Sequence, residues 1–181
     1  HVRGMDVRTF IFEALDRQNP WWRGLGLPVV KPRARDALPG LLRWFGEPAA
    51  RRGRLLLGPR QVGKSELLRQ VTAALLKGGW EARNLTYFDL GDARIDGRVA
   101  RPFGAEVLNH ALDHAISGAA PGQPVALLLD EIHHVPGWST WLKSAIDEDG
   151  SSASPRLRIL ATDSAASVLR QGGIESGPGR W

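Results

Sequence analysis

The chain contains no cysteine, so no disulfide framework can staple it. It also lacks any apolar run approaching the roughly 18 residues that a membrane-spanning helix requires, and no secretory signal opens it. No membrane partner is expected, and the cysteine-free composition fits a reducing cytoplasm. His1 stands where an initiator methionine would, which hints at a tag residue or trimming. There is no internal repeat and no low-complexity tract; Gly150-Ser151-Ser152-Ala153-Ser154 is simply a loop. The 181 residues amount to about one domain, enough for a hydrophobic core without staples.

Acidic residues are scarce between Arg23 and Arg60, where Asp36 and Glu47 face nine basic residues: Arg23, Lys31, Arg33, Arg35, Arg43, Arg51, Arg52, Arg54 and Arg60. That surplus of seven exceeds the whole-chain net charge of +5. Such a segment can meet DNA or an acidic protein. No interleaving of aromatic and basic residues of the base-stacking kind is present, and the leading reading is a solvated face.

The most specific segment is Gly58-Pro59-Arg60-Gln61-Val62-Gly63-Lys64-Ser65, which fits the phosphate-binding loop pattern at every constrained position. Gly58 and Gly63 permit the tight wrap, successive backbone N–H groups cradle phosphate oxygens, Lys64 adds a point charge, and Ser65 offers a hydroxyl to magnesium. Its setting is the required one. Leu55-Leu56-Leu57 reads as a buried strand entering the loop, and Leu67, Leu68, Val71, Ala74 and Leu75 recur at helical spacing until Gly78-Gly79. The helix start adds its partial positive charge to the phosphate site.

Residues 1–50 read as an N-terminal helical adaptor packed on a core formed by residues 51–181. In the adaptor, Phe10 to Leu15 predicts a short helix broken by Asn19-Pro20-Trp21-Trp22, Val29-Val30 a brief strand, and Asp36 to Phe45 a second helix. Trp21 and Trp22 are packing anchors. In the core, Ala82 to Leu90 predicts a strand, Gly91 to Pro102 a polar connection and Gly104 to Ile116 a helix. Val125 to Leu129 has the unbroken apolar character of a central parallel strand, Arg156 to Ala161 supplies another strand, and Ser164 to Gln171 a short helix. Alternating strands and helices imply an α/β fold, a parallel sheet covered on both faces.

Sixty-six residues after Lys64, Asp130 follows the apolar run, and Glu131 follows it at once. A carboxylate at the carboxyl end of a buried strand lies where such sheets bind ligands, so Asp130 can reach a magnesium ion beside Ser65. Glu131 can point toward the γ-phosphate and orient or deprotonate water, which suggests hydrolysis. Ala161-Thr162-Asp163-Ser164 ends a further strand, and Thr162 or Ser164 is the candidate γ-phosphate sensor, unless these residues merely cap a following helix. His110 and His114, four apart on a predicted helix, lack further ligands and read as a solvated helix surface. His133-His134 follows the acidic pair and reads first as structural, with a direct role as the alternative. Trp138 and Trp141 seat the following helix on the sheet.

Together, Gly58 to Ser65, Leu129-Asp130-Glu131-Ile132, Val135-Pro136-Gly137-Trp138 and Ile159-Leu160-Ala161-Thr162 resemble the prokaryotic AAA-type ATPases, in particular a poorly characterised branch with a GPRQVGK loop and an LDEI strand end. The resemblance runs from about Asn19 to Arg180. It implies a P-loop NTPase three-layer sandwich with an additional strand, ATP and Mg2+ as cofactors, Lys64 and Ser65 on phosphate and magnesium, Asp130 supporting the metal, and Glu131 activating water. The position after Ile132, usually Gln in that branch, is His133 here; the usual Gly after Thr162 is Asp163. Such relatives continue into a last core strand beside the P-loop strand and a C-terminal domain. The expectation is therefore a core without its last strand, an apolar edge covered by self-association or by a partner, and Arg180 either as a finger on a neighbour's nucleotide or as a solvent-exposed arginine.

The expected activity is Mg-dependent ATP binding and hydrolysis by a switch or motor module, with Glu131 as base and Lys64 on the phosphates. The alternative is a nucleotide-gated module that binds DNA or protein with slow turnover. A small-molecule kinase is disfavoured, because Asp130-Glu131 suits water activation and no lid-like arginine cluster follows the helix at Gly104 to Ile116.

Overall fold

A computed structural model describes residues 6–47, 52–59 and 61–164. Arg60, Arg180 and all but the first residue of the expected Ser164 to Gln171 helix lie outside the described residues; Ser164 itself closes a strand. Four parallel strands form one sheet: β1 (Gly53–Gly58), β2 (Leu85–Asp89), β3 (Val125–Asp130) and β4 (Leu157–Ser164). Their spatial order is β1-β4-β3-β2, so the last described strand inserts between the first and the third. Parallel neighbours require crossovers, and these supply helices to both faces.

The two faces are distinguished residue by residue along β3. Val125, Leu127 and Leu129 enter one apolar cluster, while Ala126 and Leu128 enter the other. A strand buried on both faces needs no polar alternation, which is why its sequence is unbroken in apolar character. The first cluster is closed by α1 (Val7–Gln18), α4 (Ala105–Gly118) and α5 (Trp138–Gly150), contributing Ile11, Leu15, Val107, Leu108 and Leu142. The second is closed by α2 (Leu38–Gly46) and α3 (Lys64–Lys77), through Leu41, Trp44, Phe45, Leu68 and Val71. The result is helix, sheet and helix in three layers, an α/β fold of the P-loop NTPase kind.

Trp21 and Trp22 both donate their indole N–H to the Leu85 carbonyl, at 3.0 and 2.9 Å, so the short 3-10 turn Pro20–Arg23 is fastened to the start of β2. Asn19 adds a two-way clasp, donating to the Tyr87 carbonyl and accepting from the Tyr87 N–H. Trp138 and Trp141 are buried where α5 meets the first cluster.

Four expectations are corrected. Val29-Val30 forms no strand, and Val29 is 91% exposed. The strand expected from Ala82 begins only at Leu85, because Ala82–Asn84 makes a 3-10 turn that lets buried Asn84 donate to the Pro124 carbonyl and accept from the Ala120 N–H. The polar connection expected over Gly91 to Pro102 is a tight helical passage, Ala93–Ile95, a π turn Asp96–Ala100 and Arg101–Phe103, which buries Ile95, Val99 and Ala100 in the first cluster. His114 is not on a solvated surface: its ring lies 4.1 Å from Phe12 and 5.4 Å from Trp22, because α1 packs across α4. Burial, then the Arg83 guanidinium, holds the His114 imidazole below its ordinary pKa.

Candidate functional site

The loop after β1 turns through two left-handed residues, Gln61 (φ 64°) and Gly63 (φ 89°), before α3 begins at Lys64. Gly63 is the N-cap of α3 and supplies no side chain, so no side chain satisfies the first-turn N–H groups. An uncapped helix start of this length fits an anion. Lys64 curls back over the loop and donates from Nζ to the carbonyls of Gly58 and Pro59, both at 2.7 Å. Pro59 and Val62 complete the described part of the loop, with Val62 48% exposed. Ser65, one residue into the helix, is half-buried.

A segment outside the octet also reaches the loop. Residues 31–35 run along α3, where Lys31 N–H donates to the Glu66 carboxylate (2.6 Å), Arg35 N–H donates to the Gln70 side-chain carbonyl (2.9 Å), and the Gln70 amide donates to the Arg33 carbonyl (2.9 Å). These bonds lay the Arg35 guanidinium so closely against Gly63 that a Cβ there would collide with it. Gly63 thus answers two demands, a left-handed φ and an arginine pressed on its face.

Parallel register brings the carboxyl ends of the strands to one rim: Gly58 pairs with Ser164 and Asp89 with Asp130. Asp130 is 2% exposed, and both its carboxylate oxygens are engaged. The Tyr87 hydroxyl donates to Oδ2 at 2.9 Å and the Thr162 hydroxyl to Oδ1 at 2.6 Å. The Glu131 N–H donates in turn to the Thr162 hydroxyl at 2.8 Å. Thr162 therefore knits the ends of β3 and β4 together. Each Asp130 oxygen retains a second lone pair, so the donor set fits a hard cation or its coordinated water.

Burial, the Asp130 charge and the Asp89 charge push the Tyr87 phenol far up, keeping it a neutral donor. Asp89 is raised by burial and by the neighbouring Asp130 and Glu131 charges, against a stabilising bond from the Gly91 N–H at 2.9 Å. The rim is thus rich in anionic groups. Tyr87 and Asp89 were missed by sequence reading, although Asp89 stands at the carboxyl end of β2, the position that singled out Asp130, with Tyr87 two residues before it on the same strand.

Glu131 adopts a left-handed backbone (φ 53°), uncommon for a residue with a side chain. Its carboxylate lies over Gly91, where any Cβ would strike it, and stands 3.3 Å from His134 Nε2. Glu131, His133 and His134 each present a ligand-type atom within 4.8 Å of the others. His133 Nδ1 lies 3.0 Å from Asp163 Oδ1, so these two residues face each other across the ends of β3 and β4. Asp163 is fully buried. Ser164 is buried too, its N–H donating to the Asp163 carboxylate.

The basic stretch is partly consumed by the fold. Arg52 pairs with Asp149 (3.3 Å), Arg23 with Asp16 (3.4 Å), and Arg54 lies 5.2 Å over the Trp44 ring. Arg51, like Arg60, falls outside the described residues. Among the described residues no helix is long and apolar enough to cross a membrane.

No curated protein matches the chain significantly. The model of a family described as an AAA domain matches residues 51–181, more than half of the sequence and every strand of the sheet. The chain therefore belongs to the AAA domain family, whose members are nucleotide-binding domains of the P-loop ATPase type.

Proposed function

We propose that the protein binds ATP with Mg2+ and hydrolyses it, as the ATPase core of a switch or motor module in the cytoplasm. In this reading residues 51–181 form the core and residues 1–50 an adaptor layered on it, of the branch with the GPRQVGK loop. The observation that carries it is the bonded rim, in which Asp130, Thr162 and the Glu131 backbone are held together one strand away from an uncapped helix start.

The octet Gly58, Pro59, Arg60, Gln61, Val62, Gly63, Lys64 and Ser65 wraps the phosphates, its N–H groups acting with the α3 dipole. Lys64 exchanges its bonds to its own loop carbonyls for phosphate oxygens, a replacement of neutral acceptors by charged ones. Ser65 and Asp130 would hold a magnesium ion, which would supply charge neutralisation at the phosphates. Thr162, with Ser164 two residues on, reads the γ-phosphate by turning to a phosphate oxygen the hydroxyl proton that it otherwise donates to Asp130. Glu131 accepts a proton from the attacking water at its carboxylate, which is 41% exposed and so reachable by solvent.

Three proteins separate binding from chemistry: the parent chain, Lys64→Ala and Glu131→Gln, each measured for nucleotide affinity and phosphate release. Lys64→Ala is expected to lose binding. Glu131→Gln is expected to hold ATP as the parent does while phosphate release falls by about 100-fold or more, the scale of a positioned general base. Hydrolysis by Glu131→Gln at the parental rate would remove Glu131 from the mechanism.

A further inference from the structure

The imidazole of His134 is held between two carboxylates. Its Nε2 stands 3.3 Å from Glu131 Oε2, and its Nδ1 stands 3.0 Å from Asp96 Oδ1. The His134 side chain is 16% exposed and that of Asp96 20%, against 41% for Glu131. Two half-buried groups therefore back one solvent-reachable carboxylate. His134 is tied to Glu131 through its own loop, being three residues away on the 3-10 turn Ile132–His134. Asp96 comes from elsewhere: it opens the π turn between β2 and α4.

We propose that His134, oriented by Asp96, is a positioning residue that sets where the Glu131 carboxylate stands, an inference that rests on Glu131 being the group that activates water. The rest of the Glu131 surroundings explains why such a device is needed. On the side toward β2 its carboxylate lies against Gly91, which offers no side chain to bind it. Its backbone is in a left-handed conformation that the turn must hold against its intrinsic cost. The neighbouring Asp89 carboxylate repels it. Left to itself, a flexible glutamate with 41% of its side chain exposed samples several rotamers. The ring selects among them by its contact with Oε2, donating to both carboxylates when both nitrogens carry a proton, and it is fixed only if its other nitrogen is also bound.

Asp96 supplies that second bond and is itself fixed. Burial alone raises its carboxyl, but the bond from Arg101 and then that from His134 outweigh it and hold the group below the usual range. Arg101 reaches it in fork geometry, with Nε at 2.9 Å and Nη2 at 3.2 Å. The chain of contacts runs Arg101, Asp96, His134, Glu131. Two of its members, Asp96 and Arg101, lie in the helical passage that sequence periodicity reads as an ordinary connection.

The test uses the full chain and four variants: His134→Ala, Asp96→Ala, the double variant, and Asp96→Asn, which keeps an acceptor for the ring N–H. ATP affinity and steady-state phosphate release are measured for each, with folding checked by circular dichroism. His134→Ala is expected to lower kcat by about 10- to 100-fold, the cost of misplacing a reacting group by about 1 Å, with ATP affinity within about twofold of the parent. Asp96→Ala is expected to lose a similar factor, Asp96→Asn less, and the double variant no more than His134→Ala alone, because the two act as one unit. A parental kcat in His134→Ala overturns the proposal while leaving Glu131 as base. So does a parallel fall in kcat and affinity, or losses that multiply in the double variant. A Glu131→Gln variant with parental turnover overturns the premise and the proposal together.

Discussion

Asp89 shows how one residue on the rim carries a stability term that its neighbours impose. Burial raises its pKa, and so do the Asp130 and Glu131 charges. A carboxyl whose folded pKa lies above the unfolded value binds its proton more tightly when folded. The resulting cost is absent below the unfolded value of about 3.9, grows as pH rises through the folded value, and is complete above it. Asp89→Asn keeps an oxygen to accept the Gly91 N–H but removes the charge. It is expected to raise stability at pH 7 by about 1 kcal/mol, with the gain shrinking as pH falls toward 4. Urea unfolding at the two pH values checks this, and an unchanged or lower midpoint at pH 7 refutes it. At the residue scale, the loop glycines, Lys64 and Asp130 could be singled out as candidates because the signal is local: a turn that needs glycine, an acid at a strand end. Tyr87, Asp89 and Asp96 were not, because their meaning lies in contacts with residues of other elements. The pair His133 and Asp163 illustrates the point: each was visible as an isolated oddity, but only folding makes them partners.

Elements with strong periodicity were placed almost to the residue. The Gly104 to Ile116 expectation became Ala105–Gly118, and the Val125 to Leu129 strand gained only Asp130. Elements held by backbone docking were invisible, since a bond from a main-chain N–H leaves no mark in the sequence. Glu66 and Gln70 lie four apart on α3, and a polar pair at that spacing reads as a solvated face. In the structure they are 7% and 5% exposed, because residues 31–35 cover them. Gln70 is the clasp, accepting from Arg35 N–H and donating to the Arg33 carbonyl. Gln70→Ala is expected to cost about 1–3 kcal/mol, the loss of bonds at a partly buried site. It should also release the segment locally, so trypsin is expected to cut after Arg33 and Arg35 faster than in the parent. Parental cleavage rates with parental stability would show that the segment is held by something other than Gln70.

At the scale of the whole molecule, periodicity sorted strands from helices but could not order the strands, because apolar spacing says nothing about which strand lies beside which. The Arg156 to Ala161 strand was read from its apolar run but its place was not, and in the structure this strand, β4, separates β1 from β3. That insertion has an energetic consequence. The phosphate loop hangs from β1, whose described partner is β4 alone, while Asp130 ends β3. Nucleotide held by both would therefore bridge elements that share only β4, and binding should stabilise the fold as a whole rather than the loop alone. A ligand that binds only the folded state at 100 times its Kd adds about 2.7 kcal/mol. For a chain of this size that corresponds to a rise in Tm of about 5–10 °C. The rise is expected with Mg-ATP in the parent and in Glu131→Gln, which keeps every phosphate contact, and is expected to vanish in Lys64→Ala. Hydrogen exchange should slow in β1, in α3 and at the carboxyl ends of β3 and β4 together. Protection confined to the loop, or an equal Tm shift in Lys64→Ala, would mean that the nucleotide does not span the sheet as the rim geometry requires.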